Sequence, residues 1–192
     1  MVPHVDAGLM KKIHELCYPE SVAVIGASEV VLKWGSFLLV NLLSGGFKGP
    51  IYPINPKVKN ILGLKCYNTL ADCPGPVDLV FITVPQPRVL SAIKECADKG
   101  VKNVVIITSG YSETGEEGAQ FERELVKAVR TGGMRLLGPN TMGMMSAHQN
   151  LFCTGSNSVP PKGGISMISQ SGNLGAQVMA WAEEQKIGRA HV

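Results

Sequence analysis

No apolar run in the sequence approaches the roughly 20 residues needed to cross a bilayer, so no membrane-spanning helix is expected. The first residues, Met1-Val2-Pro3-His4-Val5-Asp6, have neither a basic stretch nor an apolar core, which argues against a signal peptide. The lysines are scattered and the net charge is only +3, so there is no footprint for nucleic acid. The five cysteines (Cys17, Cys66, Cys73, Cys96 and Cys153) form no Cys-x-x-Cys pair and are odd in number. Neither a disulfide framework nor a zinc site is expected from them. They read as reduced thiols of a cytoplasmic protein, with Cys96 and Cys153 as small packing residues. No metal site is expected.

What is present is ordinary globular composition, 45% apolar and 17% charged over 192 residues, enough for one full domain and the start of another. The organising stretch is Ser21-Val22-Ala23-Val24-Ile25-Gly26-Ala27-Ser28. Its apolar, β-branched run predicts a strand buried on both faces, as in a parallel sheet. Gly26 ends it where the backbone turns, and Gly35-Ser36 open the apolar helix Phe37 to Leu43, closed by Gly45-Gly46. A strand, a glycine turn and a helix N-terminus together favour a bound phosphate.

The spacing departs from a dinucleotide fingerprint. Gly26 is followed by Ala27-Ser28 and then by no glycine until Gly35, so the loop is longer than Gly-x-Gly-x-x-Gly allows. The next strand, Ile51 to Ile54, runs into Asn55-Pro56-Lys57 and carries no carboxylate for a ribose. A lysine there disfavours NAD and suits a ligand with an extra phosphate on its ribose.

Elsewhere the pattern alternates strand and helix. A short helix is predicted over about 7–17, with Leu9, Ile13 and Leu16 on one face. Pro53 predicts an edge strand, Gly63 to Tyr67 a short extra strand, and Thr69 a cap. Strands follow over 77–84, 101–108 and 134–137, with helices from Pro87 to Lys99 and from Thr114 to Thr131. Thr114-Gly115-Glu116-Glu117 has capping-box spacing, which explains Glu117 more simply than an acid–base pair with Glu113 or Glu116. Residues 141–163 lose periodicity, and Met142 to Met145 read as loop packing. Pro160 to Gly164 read as a linker, Ile165 to Ser169 as a strand, and Asn173 to Lys186 as a helix with Leu174, Val178 and Trp181 on one face.

Right-handed crossovers then give a doubly wound parallel α/β sheet, with ligands at the carboxyl ends of its strands. One rim collects Gly26-Ala27-Ser28, Asn55-Pro56-Lys57, Val84-Pro85-Gln86, Thr108-Ser109-Gly110 and Gly138-Pro139-Asn140. It is small, polar or basic, and built for an anion. Two readings stay open at several of these positions. Gly26 and Ser28 make either a phosphate loop or a plain tight turn, Lys57 a ligand contact or a solvated cation. Asn55 and Asn140 bond either a ligand or their own turns. Ser169-Gln170-Ser171-Gly172-Asn173 lacks the flanking glycines of a nucleophile elbow, which excludes a serine hydrolase.

The motifs Val22 to Ser28, Gly49 to Lys57, Val77-Asp78-Leu79, Ile107 to Tyr111, Leu137 to Asn140 and Ile168 to Gly172 resemble, in order, the CoA-binding domain of NDP-forming acyl-CoA synthetases. Relatives of that family include the α subunit of succinyl-CoA synthetase. The resemblance implies a Rossmann-like domain over 1–159, followed over 160–192 by a linker and the first βα unit of a second, flavodoxin-like ligase domain. It implies a ligase that makes acyl-CoA from acid, CoA and ATP or GTP with Mg, through an acyl phosphate and a phosphohistidine.

By the same resemblance Gly26, Ala27, Ser28 and the loop through Lys33 to Gly35 hold CoA phosphates, and Asn55, Pro56 and Lys57 face its phosphorylated end. Val84, Pro85, Gln86, Thr108, Ser109, Gly110 and Asn140 border the adenine and pantetheine path. Ser171-Gly172 open a helix whose N-terminus faces the phosphohistidine. His4, His14, His148 and His191 do not occupy the phosphohistidine motif, and no ATP-grasp domain is present. The expectation is therefore a chain that binds CoA and catalyses nothing alone, its partners being an ATP-grasp domain or subunit and further copies in an oligomer. The rivals are an NADP-binding oxidoreductase domain and a stand-alone CoA- or nucleotide-binding module.

Overall fold

The computed structural model describes residues 6–191. Met1 to Val5, including His4 and most of the stretch read for a signal peptide, lie outside the described residues, as does the side chain of His191. In chain order the elements are α1 (Ala7–Cys17), β1 (Val22–Ile25), α2 (Trp34–Ser44), β2 (Ile51–Ile54), β3 (Asn60–Ile61), β4 (Leu64–Lys65) and β5 (Leu79–Ile82). They continue with α3 (Val89–Lys99), β6 (Asn103–Ile106), α4 (Glu116–Thr131), β7 (Arg135–Leu137), β8 (Gly143–Ser146), β9 (Leu151–Thr154), β10 (Lys162–Ser166), α5 (Gly172–Glu184) and β11 (Arg189–His191).

Five strands form one parallel sheet in the order β2-β1-β5-β6-β7. Every residue of β1, β5 and β6 is buried, as their unbroken apolar runs predict. Period-two alternation splits them between two layers. Ala23, Ile25, Val80, Ile82, Val104 and Ile106 pack on α3 and α4 through Ile93, Cys96, Leu125 and Val129. Val22, Val24, Leu79, Phe81 and Val105 face Leu38, Leu39 and Leu42 of α2. Each such side chain, fully buried, contributes about 1.5–3 kcal/mol before entropy is charged against it. The strand order reverses between β1 and β5, and a crevice opens at that point above the sheet.

Pro53 stands on the edge strand β2, and Thr69 caps a 3-10 turn reciprocally with Asp72, both as the sequence indicates. Three local expectations are corrected. The Thr114–Glu117 capping box does not form: Gly115 is the N-cap at φ +104°, and the Thr114 hydroxyl donates to the Tyr111 carbonyl at 2.8 Å. The stretch 141–163 is not aperiodic, because β8 and β9 make an antiparallel hairpin. Met144 and Cys153 pair on its face toward α2, while Met145 and Phe152 pair on its other face against Met179 of α5. The inward face of α5 is Gly175, Met179 and Ala182; Leu174 and Trp181 are more than half exposed. The strand after the prolines also begins earlier than expected, at Lys162.

Asp78 ties the starts of β1 and β5. Its carboxylate accepts from the Glu20 and Ser21 N–H groups at 2.9 and 3.0 Å and from the Ser21 hydroxyl at 3.1 Å. Asp78→Ala is expected to lower the unfolding free energy by about 2 kcal/mol in urea titrations, since charged acceptors of several bonds are costly to remove. A loss under about 0.5 kcal/mol, the range of indifferent surface changes, would contradict that role.

Candidate functional site

The site is built where β1 stops. Gly26 has φ +92°, and a Cβ there would stand 2.6 Å from the Thr83 hydroxyl oxygen of the neighbouring strand end. Thr83 donates that hydroxyl toward the carbonyls of Ile25 and Gly26, at 3.2 and 3.1 Å, which fixes the turn. Gly35 in the first turn of α2 lies directly against the Gly26 carbonyl, and a Cβ on it would collide with that oxygen. Two glycines therefore let the helix start rest on the strand's turn.

The N-cap of α2 is Lys33, whose side chain caps nothing. Among the described residues the N–H groups of Ala27, Ser28, Trp34 and Gly35 have no acceptor. Four unpartnered donors in a strand turn and in the helix start that rests on it, with the helix dipole behind them, suit an anion. Ser28 is buried, and its hydroxyl accepts from the Val30 N–H at 3.1 Å, shaping the loop beyond. Asn55 spans the two strand tips: its amide donates to the Ala27 carbonyl at 2.8 Å, and its oxygen accepts from the Lys57 N–H at 2.9 Å. That side chain holds the turns on both sides.

Beyond the cradle a cleft of about 660 Å³ is lined by Val84, Pro85, Thr108, Ser109, Asn140, Ser171 and Gly172, all singled out in the sequence. Thr108 donates its hydroxyl to the Val84 carbonyl at 2.7 Å, and the Asn140 N–H reaches the Thr108 carbonyl at 3.0 Å, so three strand ends are tied together. Gln86 and Gly110 pack on one another outside the cleft lining, and Pro56 is exposed. Lys33 and Lys57 are exposed and do not line the cleft.

Sequence reasoning missed Trp34 and Met142, which line the cleft as well. A Cβ on Gly155 would strike both, and one on Gly172 would strike Met142. The thioether thus docks the start of α5 onto the rim. The signal was there in the glycines at 155 and 172, but neither is meaningful without its neighbour. Ser171 caps α5, accepting from the Leu174 N–H at 3.3 Å.

No acid–base dyad emerges. Burial pushes the Glu113 carboxyl up, but the N–H groups of Gly110, Glu113 and Tyr111 outweigh it and hold it below the usual carboxylate range. Glu116 is an exposed partner of Arg123. Burial raises the Cys96 thiol to about 12 and Cys73 to about 11, and drives Cys153 well above its ordinary value, which keeps all three in the thiol form at neutral pH. Among the described residues no group of three or more His, Cys, Asp or Glu could hold a metal ion, and no helix is long and apolar enough to cross a membrane.

A doubly wound α/β domain with unpartnered backbone donors at its switch point is the class these features define. The chain belongs to the CoA binding domain family, whose model matches residues 20–147. It is 45% identical over 163 residues to an ADP-forming acetate–CoA ligase II of Archaeoglobus fulgidus, covering 83% of this chain and 24% of that protein. It is 44% identical over 170 residues to the α subunit of an ADP-forming acetate–CoA ligase II of Pyrococcus furiosus, covering 88% and 37%. Among solved structures, the acetyl-coenzyme A synthetase 1 of Ca. Korarchaeum cryptofilum, in complex with phosphate and ADP, superposes with a TM-score of 0.88 at 43% identity, over 93% of this chain and 38% of that one. The resemblance drawn from the motifs is upheld. The chain spans between about a quarter and two-fifths of the length of the curated relatives it matches.

Gly35→Ala is expected to cost about 1–3 kcal/mol of stability in urea unfolding, the scale of an overpacked core, because the new methyl meets backbone that cannot yield. Gly164→Ala, where a Cβ meets nothing within 4 Å, is the neutral control. Equal effects of the two changes would remove the close approach as a constraint.

Proposed function

We propose that this chain is the CoA-binding part of an NDP-forming acid–CoA ligase. The observation that carries the proposal is the cradle of four unpartnered N–H groups, at Ala27, Ser28, Trp34 and Gly35, in a chain of the CoA binding domain family. Coenzyme A fits it: the diphosphate takes the backbone donors, which neutralise its charge without a fixed cation at the turn. Val84, Pro85, Thr108 and Ser109 flank the adenine and pantetheine path along the cleft. Lys57, exposed after β2, and Lys33 supply mobile cations for the phosphorylated end, and Asn55 sets the turn from which Lys57 projects. Gly26, Pro56, Gln86, Gly110 and Asn140 hold the rim in shape.

In the intact ligase the acid, CoA and NTP give acyl-CoA, NDP and phosphate through an acyl phosphate and a phosphohistidine. Ser171 and Gly172 turn the N-terminal dipole of α5 toward the phosphoryl group in transit. The phosphohistidine and the ATP-grasp domain that binds ATP or GTP with Mg belong to other parts of the ligase. Acetate is the acid named for the similar proteins of Archaeoglobus fulgidus and Pyrococcus furiosus, and it is the first to test. Residues 160–192 open the second ligase domain.

Scanning fluorimetry with CoA, NADP and NAD is the direct test. A rise in melting temperature with CoA alone is expected; a rise with NADP and none with CoA would replace the reading by that of a dinucleotide enzyme. Lys57→Ala is expected to weaken CoA binding by about 1 kcal/mol in calorimetry, the worth of one charge-assisted hydrogen bond. Unchanged affinity would take Lys57 out of the site.

A further inference from the structure

The main sheet has two edges, and the described residues close only one of them. Beside β2, Tyr67 runs parallel as a single-residue bridge. Its N–H bonds the Pro53 carbonyl and its own carbonyl accepts from Asn55, both at 2.9 Å. The other edge, β7, has no such cover among the described residues. Successive residues of a parallel strand turn their backbone groups to opposite sides. Arg135 donates to the Lys102 carbonyl on the β6 side at 2.8 Å, so the N–H and carbonyl of Leu136 face away from the sheet. They have no partner among the described residues, and neither does the N–H of Gly138.

These groups border a groove of about 530 Å³ between α1 and α4. Its charge is one-sided. Lys12, Lys102, Arg130 and Arg135 line it against the single carboxylate of Glu15. Among the described residues none of the four cations makes an ion pair, and Glu15 leans toward Lys11 at 3.9 Å. The Nε of Arg135 is moreover buried without a hydrogen-bond partner. A buried donor in that state costs about 1–3 kcal/mol, so the groove is short of acceptors.

Three occupants can be weighed by what they leave unpaired. A small anion meets the cations but leaves the Leu136 carbonyl bare. A second copy of the same edge pairs the backbone but sets like charges against each other. An extended acidic segment supplies backbone donors, backbone acceptors and carboxylates together. The first five residues of the chain contain no carboxylate and do not match the groove. We propose that the open edge of β7 is a docking surface for an extended acidic peptide segment, added as a further strand between α1 and α4. The surface shares no residue with the cleft lined by Val84 and Thr108, and stands whether or not that cleft takes CoA.

The test is an amide NMR titration of the full chain with the capped peptide Glu-Val-Glu-Val-Glu-Val-Glu. Parallel titrations use the same peptide N-methylated at alternate residues, and inorganic pyrophosphate. Saturable shifts of the Leu136 and Gly138 amides are expected with the first peptide, weakened about tenfold by N-methylation, the worth of roughly one lost hydrogen bond. The double variant Lys12→Glu, Arg130→Glu, exposed at both positions, is expected to lose binding while keeping its remaining spectrum. Absence of a saturable shift at these amides would overturn the proposal. So would equal binding of the N-methylated peptide, or stronger binding of pyrophosphate at the same amides, which would make the groove a small-anion site. Concentration-dependent shifts there without any peptide would assign the edge to a second copy.

Discussion

The structure turns on one close approach, the backbone of Gly35 resting on the carbonyl of Gly26. With no side chain at either position, the first turn of α2 sits against the end of β1 as a larger residue would forbid. The consequence is electrostatic. The N–H groups of the turn and of the helix start lie at this approach, and among the described residues no side chain of the loop takes them up, since Lys33 at the N-cap position caps nothing. Unpartnered donors are ordinarily a cost; here they are grouped at the crevice where the strand order reverses, the place the proposed function gives to a phosphate.

The rest of the fold serves to keep that geometry still. Asp78 fixes the entry of β1 against β5, and Thr83, Thr108 and Asn55 cross-link the strand exits. The hairpin β8–β9 covers α2 on one side and carries α5 on the other, with Met142 setting the start of α5 beside the cleft. The rim is thus completed by a helix from beyond the sheet, and the two helix N-termini border one cleft.

Legibility in the sequence followed the strength of the physical signal. The central strands are readable as apolar runs, and α2 to α4 as helical runs that end at glycine, which punctuates without help from distant residues. The β8–β9 hairpin was not, since each strand is four residues long and buried on both faces, leaving no alternation to see. Which face of α5 is buried does not follow from its apolar stripe, because close packing on the hairpin selects Gly175, Ala182 and Met179 while the larger Leu174 and Trp181 stay out in solvent. The Thr114 box failed because the chain takes a glycine-only conformation at residue 115 first. Of the rim, the strand-end residues came from topology alone, whereas Trp34 and Met142 depend on contacts far apart in sequence.

The central claim is that backbone N–H groups, and not a fixed cation or an acidic ribose anchor, receive the ligand. A crystal structure of the chain grown with CoA tests this most directly. The expected result puts diphosphate oxygens about 3 Å from the nitrogens of Ala27, Ser28, Trp34 and Gly35, ordinary hydrogen-bond range. Coenzyme bound with its phosphates away from that turn, or a cradle left empty beside an occupied cleft, would contradict it.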